Sequence, residues 1–230
     1  MTGSLLWISG LLIALLTLIL ALTYTPSVDS DAMNAPNAQR IFYWHVPAAW
    51  ASFLAFTLLF VGSIAWFWRR IEWGWHLHIA SSEAGLLFGS MVIISGPIWG
   101  AAEWDVPWDW TDVRLNTYAV LVCLSAFLVL GRKSQPDGED TRDTFSSIGL
   151  FGFVLVPLTY VATRFWEKRH PGPVVGPGGG GLETEMLQVL ALGAIGFTMM
   201  VMGQIVLLMY LTKQEMKIEK LQKNVDETSR

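Results

Sequence analysis

Six long apolar stretches constrain this chain more than any other feature. Residues 5–22 carry no charge at all. At about 1.5 Å of rise per helical residue, a stretch of that length crosses a hydrocarbon layer of roughly 30 Å. Backbone polar groups cannot be left unpaired in hydrocarbon, so such a stretch has to be a helix. A second stretch runs on from residues 40–50 and ends at Trp68; the others cover about 79–98, 117–130, 145–166 and 186–211. Only 15% of the residues are charged and 53% are hydrophobic, whereas a soluble domain averages about 25% charged. We therefore expect an all-α fold: a polytopic membrane protein with six transmembrane helices, in which residues 1–230 form a single membrane domain. The first stretch is too long for a signal-peptide core and no Ala-x-Ala site follows it, which makes it a retained helix.

The connections are polar. Residues 23–40 form a loop and 69–78 a short link. Residues 131–144 carry the turn signal Pro136-Asp137-Gly138. The segment after the fifth span ends in four glycines, up to Gly181. This is linker chemistry and not a phosphate loop, because no Gly-Lys-Ser/Thr follows. Residues 212–230 are a charged tail, helical at first and frayed at its end. Six spans put both termini on one side of the membrane. That side holds ten basic residues (Arg69, Arg70, Arg132, Lys133, Arg142, Lys213, Lys217, Lys220, Lys223 and Arg230). The opposite side holds five: Arg40, Arg114, Arg164, Lys168 and Arg169. The positive-inside rule then predicts cytoplasmic termini. A net charge of −4 gives no footprint for nucleic acid.

One connection stands apart. Residues 99–117 hold four of the twelve tryptophans, Trp99, Trp104, Trp108 and Trp110, together with Glu103, Asp105, Asp109 and Asp112. Indole is costly to leave in bulk water and is favoured at a membrane surface. The stretch is either an aromatic belt anchoring helix ends or a platform for a flat apolar ligand with charged groups. By topology it faces outward. Two of the four histidines fall at the same face: His45 near the start of the second span, followed by Pro47 in what reads as a first helical turn, and His170 just after the fifth span. A lone interfacial histidine is commonly a polar tip among headgroups, but imidazole is also a common axial ligand of haem iron. His76 and His78 lie at the opposite face beside Trp73 and Trp75, and read as interface anchors. Glu83, near the inner end of the third span, reads as a hydrated carboxylate in preference to a functional one. Arg114 either pairs with Asp112 or is kept for an anionic ligand group. Cys123 is alone, so no intrachain disulfide forms, and no Cys-x-x-Cys-His is present for covalent haem. No hydrolase elbow, nucleotide loop or zinc-protease signature occurs.

Arg40-Ile-Phe-Tyr-Trp-His-Val-Pro-Ala-Ala-Trp resembles the Arg-Ile-x-Tyr-x-His-Val-Pro-Ala-Ala signature of the CcmC family, haem-handling membrane proteins of cytochrome c maturation. Gly96-Pro97-Ile98-Trp99-Gly100, with Trp104, Trp108, Trp110, Asp112, Arg114 and Leu115, resembles that family's WWD motif. His170 matches its second external histidine by position. The resemblance covers the chain from about Arg40 to Leu211. The family usually reads Trp-x-Trp-Asp-x-Arg-Leu-Thr; here Thr111 is inserted before Asp112 and Asn116 stands at the Thr position.

The resemblance implies a site for haem b, bound non-covalently and in transit. The WWD stretch would hold the porphyrin, and His45 and His170 would be axial iron ligands. It implies delivery to the haem chaperone CcmE, assisted by the ABC transporter subunits CcmA and CcmB and the small membrane protein CcmD. The chain would then be a holder and presenter and not an enzyme. Alternatives are a WWD-type haem lyase component, which is normally longer, a cytochrome b, which needs histidines inside its spans, and a small-solute transporter, whose usual internal repeats are not evident.

Overall fold

The six apolar stretches are helices. A computed structural model of the chain describes residues 1–28, 33–165 and 181–228. It is helical throughout, with α1 (Thr2–Thr23), a 3-10 turn (Pro36–Ile41), α2 (Phe42–Arg69), α3 (Glu72–Trp104), α4 (Val113–Lys133), α5 (Glu139–Gly152), α6 (Leu155–Phe165) and α7 (Thr184–Thr228). Among the described residues six segments are long and apolar enough to cross a membrane, with α5 and α6 together supplying the fifth. The protein is a multi-pass membrane protein.

Several helices outrun their apolar cores. α3 takes in Glu72 to His78, which reads as a connection in the sequence, and continues through Pro97 to Trp104. α7 extends through the charged tail to Thr228. Polar residues of good helix propensity continue a helix past the hydrocarbon, because water there can satisfy what the apolar core could not.

The fifth span, by contrast, is broken. Val154 N–H donates to the Phe151 carbonyl (3.2 Å) and Val156 N–H to that of Phe153 (3.0 Å), a tight turn between α5 and α6. Pro157 accounts for it. Proline has no N–H for an α-helical bond to Phe153 and is tolerated in a helix's first turn, where it sits in α6. Gly152 just before the break allows close approach, since a Cβ there would collide with the Leu124 side chain on α4.

Small residues set the tightest contacts elsewhere, as is usual where apolar burial cannot drive helix association. α1 runs antiparallel to α7 with Gly3 near Gly203 and Gly10 near Gly196. A Cβ on Gly10 would lie 2.6 Å from the Gly196 carbonyl oxygen. Ring contacts between Trp44 and Phe197 and between Phe88 and Phe197 join α2 and α3 to α7.

Charge pairs fasten the end that carries the termini. Arg142 on α5 bonds Glu72 on α3 (3.0 Å) and also Asp137, with its guanidinium 4.8 Å from the Trp66 ring. Arg70 pairs with Asp143. Glu83 pairs with Arg132 at 3.2 Å, so it is an ion-paired residue between α3 and α4 and not simply a hydrated one. His78 also departs from the sequence expectation. It is fully buried, stacks on Trp75 at 4.9 Å and meets Ser63 Oγ through Nδ1 at 2.9 Å. It therefore belongs to the bundle interior, because α3 begins early enough to carry it inward. His76, two residues away on another face, is half-buried.

Candidate functional site

A cavity of about 360 Å³ opens at the end opposite the chain termini, between α2, α3, α4 and α6. That volume falls in the range of small-molecule sites, which are mostly apolar with a few placed polar groups. His45, Ala49 and Phe53 line it from α2, one helical turn apart. Trp99 and Trp104 line it from the end of α3, Trp108, Asp109, Thr111 and Asp112 from the following loop, Arg114 and Tyr118 from α4, and Thr159 and Tyr160 from α6.

Two prolines shape the walls. Pro47 lies inside α2 and not in its first turn, because the helix starts back at Phe42. Tyr43 therefore loses the N–H that would normally bond its carbonyl. Pro97 does the same to Ile93 in α3. The helical ladder is therefore interrupted across His45 in α2 and again in the neighbouring α3.

The aromatic part is built in two layers. Trp99 is buried and Trp104 stacks on it, with centroids 6.3 Å apart and planes at 18°. Both belong to α3, so the first third of the tryptophan-rich stretch is helix. The His45 ring meets Trp99 edge-on at 6.1 Å. Trp108 is in the loop proper and its indole N–H donates to Asn116 Oδ1 at 3.3 Å. Trp110 leans on Trp108 at 5.9 Å but is 81% exposed and lies outside the cavity lining.

The loop between α3 and α4 is held by its own side chains. Asp105 ends α3 in the left-handed conformation (φ 56°), which Asp and Asn adopt more readily than most residues. Asp109 Oδ1 accepts from the N–H and the hydroxyl of Thr111 (2.9 and 2.6 Å), an Asx turn that accommodates the inserted residue. Asp112 caps α4, accepting from the N–H groups of Arg114 (2.9 Å) and Leu115 (3.2 Å). Its other oxygen accepts from the Arg114 guanidinium at 2.9 Å, so of the two readings of Arg114 the ion pair is the one formed. Asn116 Nδ2 donates to the Trp110 and Asp112 carbonyls at 2.8 and 2.9 Å. The residue at the family's Thr position thus ties the loop back onto α4.

Glu103 is a structural tether and adds little open charge to the loop. It is buried, and its carboxylate accepts from the N–H groups of Asn34 (3.1 Å) and Ala35 (2.9 Å). This fixes the first loop against the end of α3. Arg40 in turn donates to the Ala21 carbonyl at the end of α1.

Of the sequence candidates, His45, Trp99, Trp104, Trp108, Asp112 and Arg114 therefore meet at one cavity, Trp110 stands beside it, and His170 lies outside the described residues. Phe53, Ser95, Tyr118, Thr159 and Tyr160 were not singled out. Phe53 was findable, two turns on from His45 on the same α2 face; the α6 residues depended on a helix break the apolar pattern hides.

The donor set suits a flat, aromatic, acidic molecule. Indole faces and apolar side chains could receive a ring system, with the His45 imidazole and the Asp112-paired Arg114 guanidinium as the placed polar groups. Among the described residues no three metal-ligating side chains cluster, so an iron at His45 would need most of its ligands from such a ring.

The model of the family described as CcmC, heme exporter protein C, matches residues 1–226. Heme exporter protein C of Bradyrhizobium diazoefficiens is 24% identical over 199 residues, covering 84% of this chain and 73% of that protein. The Rhodobacter capsulatus protein of the same name is 25% identical, covering 79% and 74%. That of Escherichia coli K12 is 26% identical over 137 residues, covering 59% of this chain and 55% of its own length.

Proposed function

The chain belongs to the heme exporter protein C family, and from that premise we propose that it holds haem in the cavity between α2, α3, α4 and α6 and presents it to the chaperone CcmE during cytochrome c maturation. The cavity end faces outward from the plasma membrane and both termini are cytoplasmic, as the ten-to-five distribution of basic residues favours. CcmA, CcmB and CcmD are the partners this reading brings with it.

The observation that supports the reading most is the convergence of His45, the Trp99–Trp104 pair, Trp108 and Arg114 on one apolar cavity. When bound, haem would supply an iron that accepts imidazole nitrogen. His45 and His170 would be the residues that hold it. Trp104 and Trp108 would cover the ring, and Arg114, steadied by Asp112, would sit near the propionates. Phe53 and Tyr118 would exclude water from the deep side. Nothing in this arrangement makes or breaks a bond; the residues bind, orient and shield, which suits a holder.

The test is the absorption spectrum of protein purified from cells making haem. Wild type is expected to carry haem with a histidine-type Soret band. His45→Ala and His170→Ala are each expected to lose most of it at matched protein levels. Full haem with unchanged spectra in both variants would remove the ligand assignment, and a wild type without haem would favour a solute transporter.

A further inference from the structure

We propose that Ser95 is a positioning residue that holds His45 in the tautomer with its proton on Nδ1, so that Nε2 carries the lone pair directed at iron. The inference rests on the reading of His45 as a haem ligand and adds the device that prepares it.

The argument turns on one proton. Ser95 Oγ lies 2.9 Å from His45 Nδ1 and 2.7 Å from the carbonyl oxygen of Met91, one turn back in α3. A serine hydroxyl has a single hydrogen. A carbonyl oxygen can only accept, so at 2.7 Å that hydrogen must point at Met91; otherwise two oxygen lone pairs would face each other at that distance. This is the back-bond that serine commonly makes inside helices. The Ser95 oxygen can then only accept from His45, and Nδ1 must donate. In neutral imidazole one nitrogen is the donor and the other the acceptor, which leaves Nε2 as the coordinating atom.

Two neighbours on the same turn of α3 complete the cradle. A Cβ on Gly96 would lie 3.3 Å from His45 Cε1, so the bare glycine lets the imidazole lie close against the helix. Trp99 meets the ring edge-on. Residues i, i+1 and i+4 of one helix thus fix the height, tilt and protonation of a ring carried by another. A hydrogen bond to the remote nitrogen of a ligating histidine sets its orientation and raises its donor strength, and loss of such a partner typically costs about 10–100-fold in metal affinity.

The test uses the full-length protein with 15N-labelled histidine, purified haem-free in detergent, with the His45 signals identified by their loss in His45→Gln. Wild type is expected to show Nδ1 protonated and Nε2 unprotonated. Ser95→Ala is expected to mix the tautomers and to weaken titrated haem by about 10–100-fold. Ser95→Thr keeps the hydroxyl and is expected to restore both. A wild-type His45 protonated on Nε2, or a tautomer unchanged in Ser95→Ala, would overturn the inference. Because the haem-free measurement does not depend on ligation, it separates this outcome from failure of the ligand reading, which His45→Gln would show by keeping full haem with an unchanged spectrum.

Discussion

Four tryptophans crowd one stretch of sequence, and they do four different things. Trp99 is core, with only 6% of its surface exposed, whereas Trp110 is 81% exposed. We predict that Trp99→Ala destabilises the fold by about 3–5 kcal/mol, as deletion of a buried aromatic does. Trp110→Ala should stay within about 0.5 kcal/mol, with both read from thermal unfolding in detergent. If the two cost the same, the layering of the loop is wrong. The acidic residues divide similarly. Asp112→Asn keeps the N-cap acceptor but gives up the ion pair with Arg114 and should cost up to about 1 kcal/mol, while Asp112→Ala loses both and should cost more, about 1–2 kcal/mol. Glu103→Ala removes a carboxylate that holds two backbone N–H groups, and we predict a loss of about 2–3 kcal/mol with faster proteolysis of the loop before α2. None of this is visible in composition. Sequence gathers these residues by type, but capping, tethering and stacking depend on where the α3 helix stops, and it stops at Asp105.

At the level of elements, what was legible was what hydrocarbon enforces. Each apolar stretch had to be helical, and among the described residues each is, the fifth as two helices in succession. Helix ends were not legible from hydropathy, because polar residues continue a helix as readily as they leave it. That is how Glu72 to His78 passed for a link and His78 for an interface residue. Of the candidate site, His45 and the tryptophans were legible by motif. The α6 wall was not, since Thr159 and Tyr160 reach the cavity only because Pro157 restarts the helix. Packing makes a sharper claim. Gly10→Leu should break the α1–α7 contact and lower the unfolding temperature strongly, whereas Ile8→Ala on the exposed face of α1 should barely move it. Comparable shifts in the two variants would mean that α1 does not dock through its glycines.

For the whole molecule the outstanding quantity is orientation. In a Cys123→Ser background, a cysteine replacing exposed Trp110 should react with an impermeant thiol reagent applied to intact cells. One replacing exposed Gly138, in the turn between α4 and α5, should react only after the membrane is opened. The reverse pattern would invert the topology and put the cavity on the cytoplasmic side. Cys123 is removed so that the introduced cysteine is the single thiol of the chain.

The last helix has a mechanical consequence. α7 runs unbroken for 45 residues, about 67 Å at 1.5 Å per residue, more than twice what a bilayer needs. Where it passes α2, the missing side chain of Gly193 lets the helices approach closely: a Cβ there would lie 3.0 Å from the Pro47 ring and 3.3 Å from the Tyr43 carbonyl oxygen. A continuous helix is stiff along its axis and cannot absorb a push by shortening. One rigid helix thus runs from the charged tail to the turn of α2 that bears His45, the turn whose own ladder Pro47 has already interrupted.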